Sequence, residues 1–352
     1  MAGPASQQNG DIAQKAPLVL VVLLNWNSAV ETATAVASVS RMDYPNFRTL
    51  IVDNGSSDDS VVHLRKLVGP GVELIESPVN TGYTGGCNLG MEHALKTGAD
   101  YIWLLNNDAV AEPGTLSSLV AVAEADPTIG LVTPLIAALD EDRLIFAGGV
   151  LSIERQIYED TSDPKEMARW LAENPSLGIV LFGTALLVRA DLVRKIGMLD
   201  PRFFAYYEDL DYSARSLQAG FRNVVDENSI VRHVDKQYYL KPLGMKPYFW
   251  YYMARNESRF WRKHRGLFAS RKMAWHSFNR FLRFVNRLDS RPDSQQAILA
   301  GLWHGWLDRS GPYRDGVRMP SLPSALVRIY SRRKSLQPKP LPSPDGAAVT
   351  GS

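Results

Sequence analysis

Two clusters of side chains have the types and spacing to do chemistry. The first ends an apolar run, Leu104-Leu105-Asn106-Asn107-Asp108. Asp108 offers the hard oxygen ligands that Mg²⁺ or Mn²⁺ takes. A cation held there can neutralise the charge on a departing phosphate and template its position. The second cluster is Phe203-Phe204-Ala205-Tyr206-Tyr207-Glu208-Asp209-Leu210-Asp211, with three carboxylates in four residues at the start of a helical pattern. The helix dipole stabilises negative charge at that end. Asp209 is positioned to accept the proton of an incoming hydroxyl. Glu208 lies about 100° round the helix from it, so the two do not face one point equally. Asp211 and Arg215 have the i, i+4 spacing of a surface ion pair. His233, after the apolar run Ser229–Val231, is a lone histidine with structural and ligating readings both open.

Three further polar clusters follow apolar runs. Asn25-Trp26-Asn27-Ser28 and Asp53-Asn54-Gly55-Ser56-Ser57-Asp58 supply short side chains that can hydrogen-bond a nucleobase and ribose. Asn80-Thr81-Gly82-Tyr83-Thr84-Gly85-Gly86-Cys87-Asn88 puts glycines before a helix, where backbone can approach a ligand closely and free amides can meet an anion. Its spacing is neither the dinucleotide fingerprint nor a Walker loop. Each cluster also has a purely structural reading. Ser57 or Asp58 can cap a helix, Asn106-Asn107-Asp108 can close an Asx-turn, and the glycines can serve packing alone.

The elements that must position these groups are legible as pattern. Leu18–Leu24, Arg48–Val52, Val72–Glu76 and Tyr101–Leu105 are short apolar runs bounded by turn residues, each followed by a helix-like segment. The alternation predicts parallel strands with crossover helices, whose ligands bind beyond the carboxyl ends of the strands. After Thr133 the pattern changes. Leu144–Tyr158, with Gly148-Gly149, reads as a hairpin or irregular sheet insert, Ile179–Val188 as a buried strand, and Glu208–Gln218 as a helix ending at Gly220. Beyond Pro247 the chain reads as helical and rich in Trp, Tyr and Arg. Residues 1–16 and the stretch from 335 to 352 read as disordered tails.

The 352-residue chain has one cysteine, which excludes an intrachain disulfide framework and a cysteine-rich zinc site. Its start is polar, without the apolar stretch of a secretory signal. The run Leu18–Leu24 falls far short of the roughly 20 residues of a membrane helix. The expectation is a cytoplasmic protein, or one peripheral on the inner face of the cytoplasmic membrane. Charge is uneven: Arg255–Arg291 holds eleven Lys/Arg and two acidic residues in a chain of net charge +2, so an acidic body carries a basic block. Within 271–288, Trp275, Phe278, Leu282, Val285 and Leu288 share one helical face, and Lys272, Arg280, Arg283 and Arg287 another. Such a helix can lie on an anionic membrane or pack on its own domain. Nucleic acid is disfavoured, because the body is acidic and carries no reader motif.

Taken in order, Asn25-Trp26-Asn27, Val52-Asp53-Asn54-Gly55-Ser56-Ser57-Asp58, Asn80-Thr81-Gly82 with Gly85-Gly86, Leu105-Asn106-Asn107-Asp108 and Tyr207-Glu208-Asp209-Leu210-Asp211 resemble family 2 glycosyltransferases of the GT-A fold. Among these the pattern is most similar to bacterial rhamnosyltransferase-type members that build cell-surface polysaccharides. The resemblance covers Pro17 to Val234 and the Tyr251–Asn256 stretch. It implies an α/β GT-A domain over 17–245, with a mostly parallel mixed central sheet, and a helical C-terminal region over 246–334. It further implies donor contacts from Asn25, Asn27, Asp53, Asn54, Asn80, Gly82, Gly86, Asn106, Asn107 and Asp108. Asp108 and His233 would bind Mg²⁺ or Mn²⁺, Asp209 would be the base with Glu208 beside it, and Gly183, Thr184 and Tyr207 would line the acceptor side. The implied partners are a nucleotide-sugar donor and a glycan or lipid-linked hydroxyl acceptor. Asn106 stands where the family's Asp-X-Asp motif has its first acid, which removes a charge from the donor site. The competing readings are a sugar-nucleotide pyrophosphorylase, which would need a basic glycine-rich loop after the first strand, and a non-catalytic sugar-binding or scaffold protein.

Overall fold

The computed structural model describes residues 16–234, 244–288 and 291–321, with the side chains of 267–276 and 286–287 outside that description. The two expected tails fall almost wholly outside the described residues. The chain opens as alternating strand and helix: β1 Val19–Asn25, α1 Ala29–Val39, β2 Phe47–Asn54, α2 Ser60–Leu64, β3 Val72–Ser77, α3 Gly82–Lys96 and β4 Tyr101–Asn106. It continues through β5 Ala109–Ala111, α4 Thr115–Glu124, β6 Ile129–Ala138, β7 Leu144–Phe146, β8 Gly148–Ser152, β9 Ile157–Thr161 and α5 Pro164–Glu173. Then come β10 Gly178–Val180, β11 Ala185–Arg189, α6 Ala190–Ile196, α7 Glu208–Gln218, β12 Arg222–His233, α8 Pro247–Arg287 and α9 Pro292–Trp306.

The main sheet runs β3-β2-β1-β4-β11-β6-β12-β5, with β7 on β6. Strands β3, β2, β1 and β4 are mutually parallel, and β11 enters antiparallel between β4 and β6. The expected mixed sheet is therefore present. Its leading strands are continuous apolar runs because both faces are covered. Val19, Val21 and Leu23 of β1 pack with Ala35 and Val39 of α1 and Leu116 and Leu119 of α4. Leu20 and Val22, pointing the other way, pack with Met91 and Ala94 of α3.

One element differs from its sequence reading. Ile179–Val188 is two strands in different sheets, β10 pairing with β8 and β11 with β4 and β6. The turn between them, Leu181–Thr184, carries the cleft residues Gly183 and Thr184. Leu144–Tyr158 spans β7, β8 and the start of β9, and Gly148 supplies the positive φ of 130° at the corner. Strand β6, buried along its length, has no clean sequence signature because Pro134 interrupts it. The partner strand β12 slips register between Asp226 and Ile230, opposite Pro134, which is how the sheet accommodates a residue with no amide hydrogen.

The C-terminal helices form their own apolar cluster, with Phe281, Val285 and Leu288 of the α8 region against Ala297, Ile298 and Leu302 of α9. Helix α8 kinks at Gly266, where φ is 77°. The apolar face read from 271–288 is thus packed inside the molecule over its described part. Trp275, Lys272 and Arg287 lie outside the described side chains. Much of the basic block is also spent internally. Arg255 and Arg259 are 0% and 2% exposed, Lys263 binds Asp200 and Asp211, and Arg280 pairs with Glu257.

Candidate active site

A cleft of about 1470 Å³ opens at the carboxyl ends of β1, β2 and β4 and is closed on its far side by α7 and the start of α8. Below its floor, polar side chains lock the strand ends together. The Asp53 carboxylate, 1% exposed, accepts from Asn25 Nδ2 at 2.8 Å and from the Ser56 amide at 3.0 Å. Thr32 donates to Asn25 Oδ1 at 2.8 Å, and Asn107 Nδ2 donates to Thr32 Oγ1 at 2.9 Å. Asn54 accepts from the amide and hydroxyl of Thr81 and donates to the Gly82 carbonyl, fixing the entry to α3. Asn27, Asn54, Asn80, Gly82, Asn106, Asn107 and Asp108 line the cleft, whereas Asn25 and Asp53 sit beneath it. Gly86 is also beneath. A Cβ there would lie 2.2 Å from Leu24 Cδ1, so its bareness lets α3 approach β1.

Asp108, in the turn between β4 and β5, meets His233 at the end of β12, with His233 Nε2 2.9 Å from Asp108 Oδ1. Asn106 Nδ2 is 3.3 Å from the same ring nitrogen. Among the described residues no group of three or more His, Cys, Asp and Glu side chains is arranged to hold a metal. The donor set is therefore one carboxylate and one imidazole. That pair would hold a divalent cation, with the Asp108 carboxylate as the hard oxygen ligand that Mg²⁺ and Mn²⁺ take.

Glu208 and Asp209 both line the cleft despite their angular separation on α7. Asp209 Oδ2 accepts from the Gly183 amide at 3.0 Å, and Oδ1 from the Leu210 amide at 2.8 Å. Burial raises its carboxyl above the ordinary aspartate range, against the pull of those two amides. Glu208 is 7% exposed and raised well above the ordinary range by burial, then by the neighbouring charges of Asp209 and Asp211. The pair is thereby split. Asp209, held by two donors, is the group that ionises first, and Glu208 keeps its proton longer. Asp211 is not the surface partner of Arg215 that spacing suggested. It is 0% exposed, and Arg215, Lys263 and His264 converge on it at 2.8–2.9 Å. Burial alone would push Asp211 up, but the His264 hydrogen bond and the two cations bring it below the ordinary range.

The loop leading into α7 is strained. Phe204, Tyr206 and Tyr207 have φ of 67°, 67° and 72°, the left-handed region that side chains avoid. Helix α8 holds it there. Asn256 Nδ2 donates to the carbonyls of Phe203, Ala205 and Tyr206 at 2.8–2.9 Å. Arg255 donates to Phe203 and Arg259 to Arg202. Tyr207 donates to Glu257 at 3.0 Å. Gly82 seats against this loop: a Cβ there would lie 2.4 Å from the Phe204 carbonyl oxygen. Sequence reasoning placed Asn256 only within a stretch of resemblance. Its role depends on a partner about fifty residues away, which local pattern does not encode. Two further cleft residues were not singled out: Trp26, 51% exposed, and Asp160 of β9.

Known proteins resemble the chain in sequence and in fold. Glycosyl transferase family 2 matches residues 20–192. The galactofuranosyltransferase GlfT1 of Mycolicibacterium smegmatis is 31% identical over 208 residues, covering 58% of this chain and 66% of that protein. An N-acetylglucosaminyl-diphospho-decaprenol L-rhamnosyltransferase of Mycobacterium tuberculosis is 26% identical over 243 residues, covering 60% and 75%. The match thus spans just under two-thirds of the GlfT1 relative's length. A mannosyltransferase of Pyrobaculum calidifontis, solved with GDP-Man and Mn²⁺, superposes with a TM-score of 0.52 at 16% identity, over 91% of this chain and 81% of its own. That likeness extends through the C-terminal helices and shows a shared GT-A-type fold. The chain thus carries a glycosyl transferase family 2 domain over residues 20–192, built on the sheet that holds Asp53, Asp108 and the turn facing Asp209.

Proposed function

We propose that this protein transfers a sugar, with inversion, from a nucleoside diphosphate donor to a hydroxyl of a glycan or lipid-linked acceptor in cell-surface polysaccharide synthesis. The observation that carries the reading is the placement of Asp209, its carboxylate oriented by the Gly183 amide, in the same cleft as the Asp108–His233 pair. Asp209 takes the acceptor proton as the acceptor oxygen bonds to the anomeric carbon. The bond from that carbon to the diphosphate oxygen breaks, and its electron pair leaves with the nucleoside diphosphate. No covalent sugar–enzyme intermediate is required. Asp108 and His233 would hold Mg²⁺ or Mn²⁺, which when bound supplies charge stabilisation to the leaving group. Trp26 presents a flat apolar surface at the rim beside Asn27, suited to stacking a base. Gly183, Thr184 and Tyr207 form the acceptor side.

A pyrophosphorylase reading loses ground because the loop after β1 is Asn25-Trp26-Asn27-Ser28, with no cation. A scaffold reading gives no reason for a strained loop clamped behind two cleft carboxylates. The test is nucleotide release from UDP-, dTDP- and GDP-sugars, galactofuranosyl and rhamnosyl donors first, with Mn²⁺ or Mg²⁺ and then chelator. Metal-dependent release from one donor supports the reading. Silence from all, together with no nucleotide-induced thermal shift, rejects it.

A lipid-linked acceptor places the working enzyme at the inner face of the cytoplasmic membrane. No helix among the described residues is long and apolar enough to cross a bilayer. Support for a peripheral contact comes from Trp306 and Leu307, 65% and 42% exposed at the end of α9, with Trp303 against Trp306 and Arg262 bonded to the Trp306 carbonyl. Co-sedimentation with anionic vesicles that is lost in W306A is expected; equal sedimentation of the two proteins contradicts this contact.

A further inference from the structure

Glu208 is the least ordinary carboxyl in the cleft. Its side chain is more than nine-tenths buried yet belongs to the cleft wall. Its Oε2 is enclosed and makes no hydrogen bond among the described residues. A buried polar atom without a partner costs about 1–3 kcal/mol, so its persistence in a binding cleft points to a partner that arrives with the ligand. The ionisable groups facing it are Asp209 and Asp211 on α7 and Tyr83 and Cys87 on α3, and no cation is among them.

We propose that Glu208 works as an uncharged carboxylic acid that hydrogen-bonds a hydroxyl of the sugar being transferred. The assignment rests on the glycosyltransferase reading above and adds a role for this side chain within it. A neutral carboxyl has one O–H donor and a carbonyl acceptor, and so matches a sugar hydroxyl, which also gives and takes one bond. An ionised carboxyl would only accept, and would add a third negative charge in four residues beside a diphosphate. The position suits the donor sugar. Glu208 faces Tyr83 and Cys87 in the first turns of α3, next to Gly82, which bonds the donor-side residues Asn54 and Asn80; Tyr83 itself donates to the Gly183 carbonyl, and Asp209 accepts from the Gly183 amide on the acceptor side. Burial and the two neighbouring aspartates keep the proton on Glu208 as pH rises past the ordinary glutamate value. Losing it at still higher pH would end the donation.

Two measurements decide this. The first needs no substrate: an infrared difference spectrum between the wild-type protein and E208Q at neutral pH. A protonated-carboxyl band belonging to Glu208 is expected, and an ionised-carboxylate band in its place overturns the proposal. The second is titration with UDP-galactofuranose and dTDP-rhamnose, using UDP and dTDP as sugar-free controls. E208A should bind the sugar nucleotide about tenfold more weakly and the free nucleotide unchanged. E208Q, which keeps an uncharged donor and acceptor, should recover most of that loss. Equal weakening of E208Q and E208A, or of sugar nucleotide and free nucleotide, overturns the sugar contact. If the wild type binds no nucleotide at all, the functional reading fails and takes the sugar contact with it, while the infrared result still decides the neutral state.

Discussion

At the level of single residues, the account turns on two carboxylates driven apart by their surroundings. Asp209 is anchored by the Gly183 and Leu210 amides, and Glu208 has an oxygen with no hydrogen bond among the described residues. General-base assistance is typically worth about 10²–10⁴-fold, so D209A should lose turnover by that order while nucleotide affinity, measured by calorimetry, persists. D108A should lose both turnover and metal-dependent nucleotide binding. A D108A protein that binds nucleotide as before, with the same metal dependence, contradicts the ligand assignment. Because burial raises the Asp209 carboxyl, kcat/KM should fall as pH drops through a value above the ordinary aspartate range, near 3.9; an acid limb at the ordinary position would show that Asp209 is not the titrating base. These residues were visible in the sequence because short polar side chains after apolar runs are conspicuous. Their division of labour was not. Asp53 reads as a ligand-facing group in sequence, yet its oxygens are occupied by Asn25 and Ser56 beneath the floor. Whether a carboxylate faces a cleft or braces it depends on neighbours supplied by other strands.

Among elements, α8 is the part whose function the sequence concealed. Its composition reads as a basic helix for an anionic membrane or for its own domain, and Arg255, Arg259, Arg262, Lys263 and Arg280 end on carbonyls and carboxylates of the same molecule. Asn256 and Arg255 hold the positive-φ loop from Phe204 to Tyr207, and Lys263 and His264 close on buried Asp211. N256A would leave three carbonyls, the buried one of Phe203 and the partly buried ones of Ala205 and Tyr206, without that donor. It should destabilise the fold by about 3 kcal/mol and lower kcat more than nucleotide affinity, as read by denaturant unfolding and kinetics together. Unchanged unfolding in N256A would mean the loop holds its own shape. D211N breaks a buried ion cluster and should cost about 3–5 kcal/mol. Wild-type stability from this cluster should be present above the unfolded aspartate pKa and lost as pH falls through the depressed folded value. D211N should therefore show a flatter stability-versus-pH curve at the acid end, and an equally steep fall in the variant would remove Asp211 as the cause. The strand–helix alternation up to β4 was legible because two-sided burial writes continuous apolar runs. Strand β6 was not, because Pro134 and the facing slip in β12 break the pattern where the sheet bends.

For the whole molecule, one cleft is assembled from parts far apart in the chain. Strand ends from the first hundred or so residues supply polar groups, and the segments after β9 supply Glu208, Asp209 and the aromatic far wall. Family, fold and the order of the clusters were legible in the sequence, since five clusters in order constrain a topology that one does not. The joining of the C-terminal helices to the cleft could not, because it depends on contacts across fifty residues or more. The central claim is that Asp209 drives sugar transfer from a nucleotide donor bound opposite it. The most direct measurement is acceptor-dependent nucleotide release, with metal and the donor that binds, by the wild-type protein and by D209A shown to bind that donor equally well. The account predicts release by the wild type and about a hundredfold or greater loss in D209A; equal release by the two proteins would contradict it.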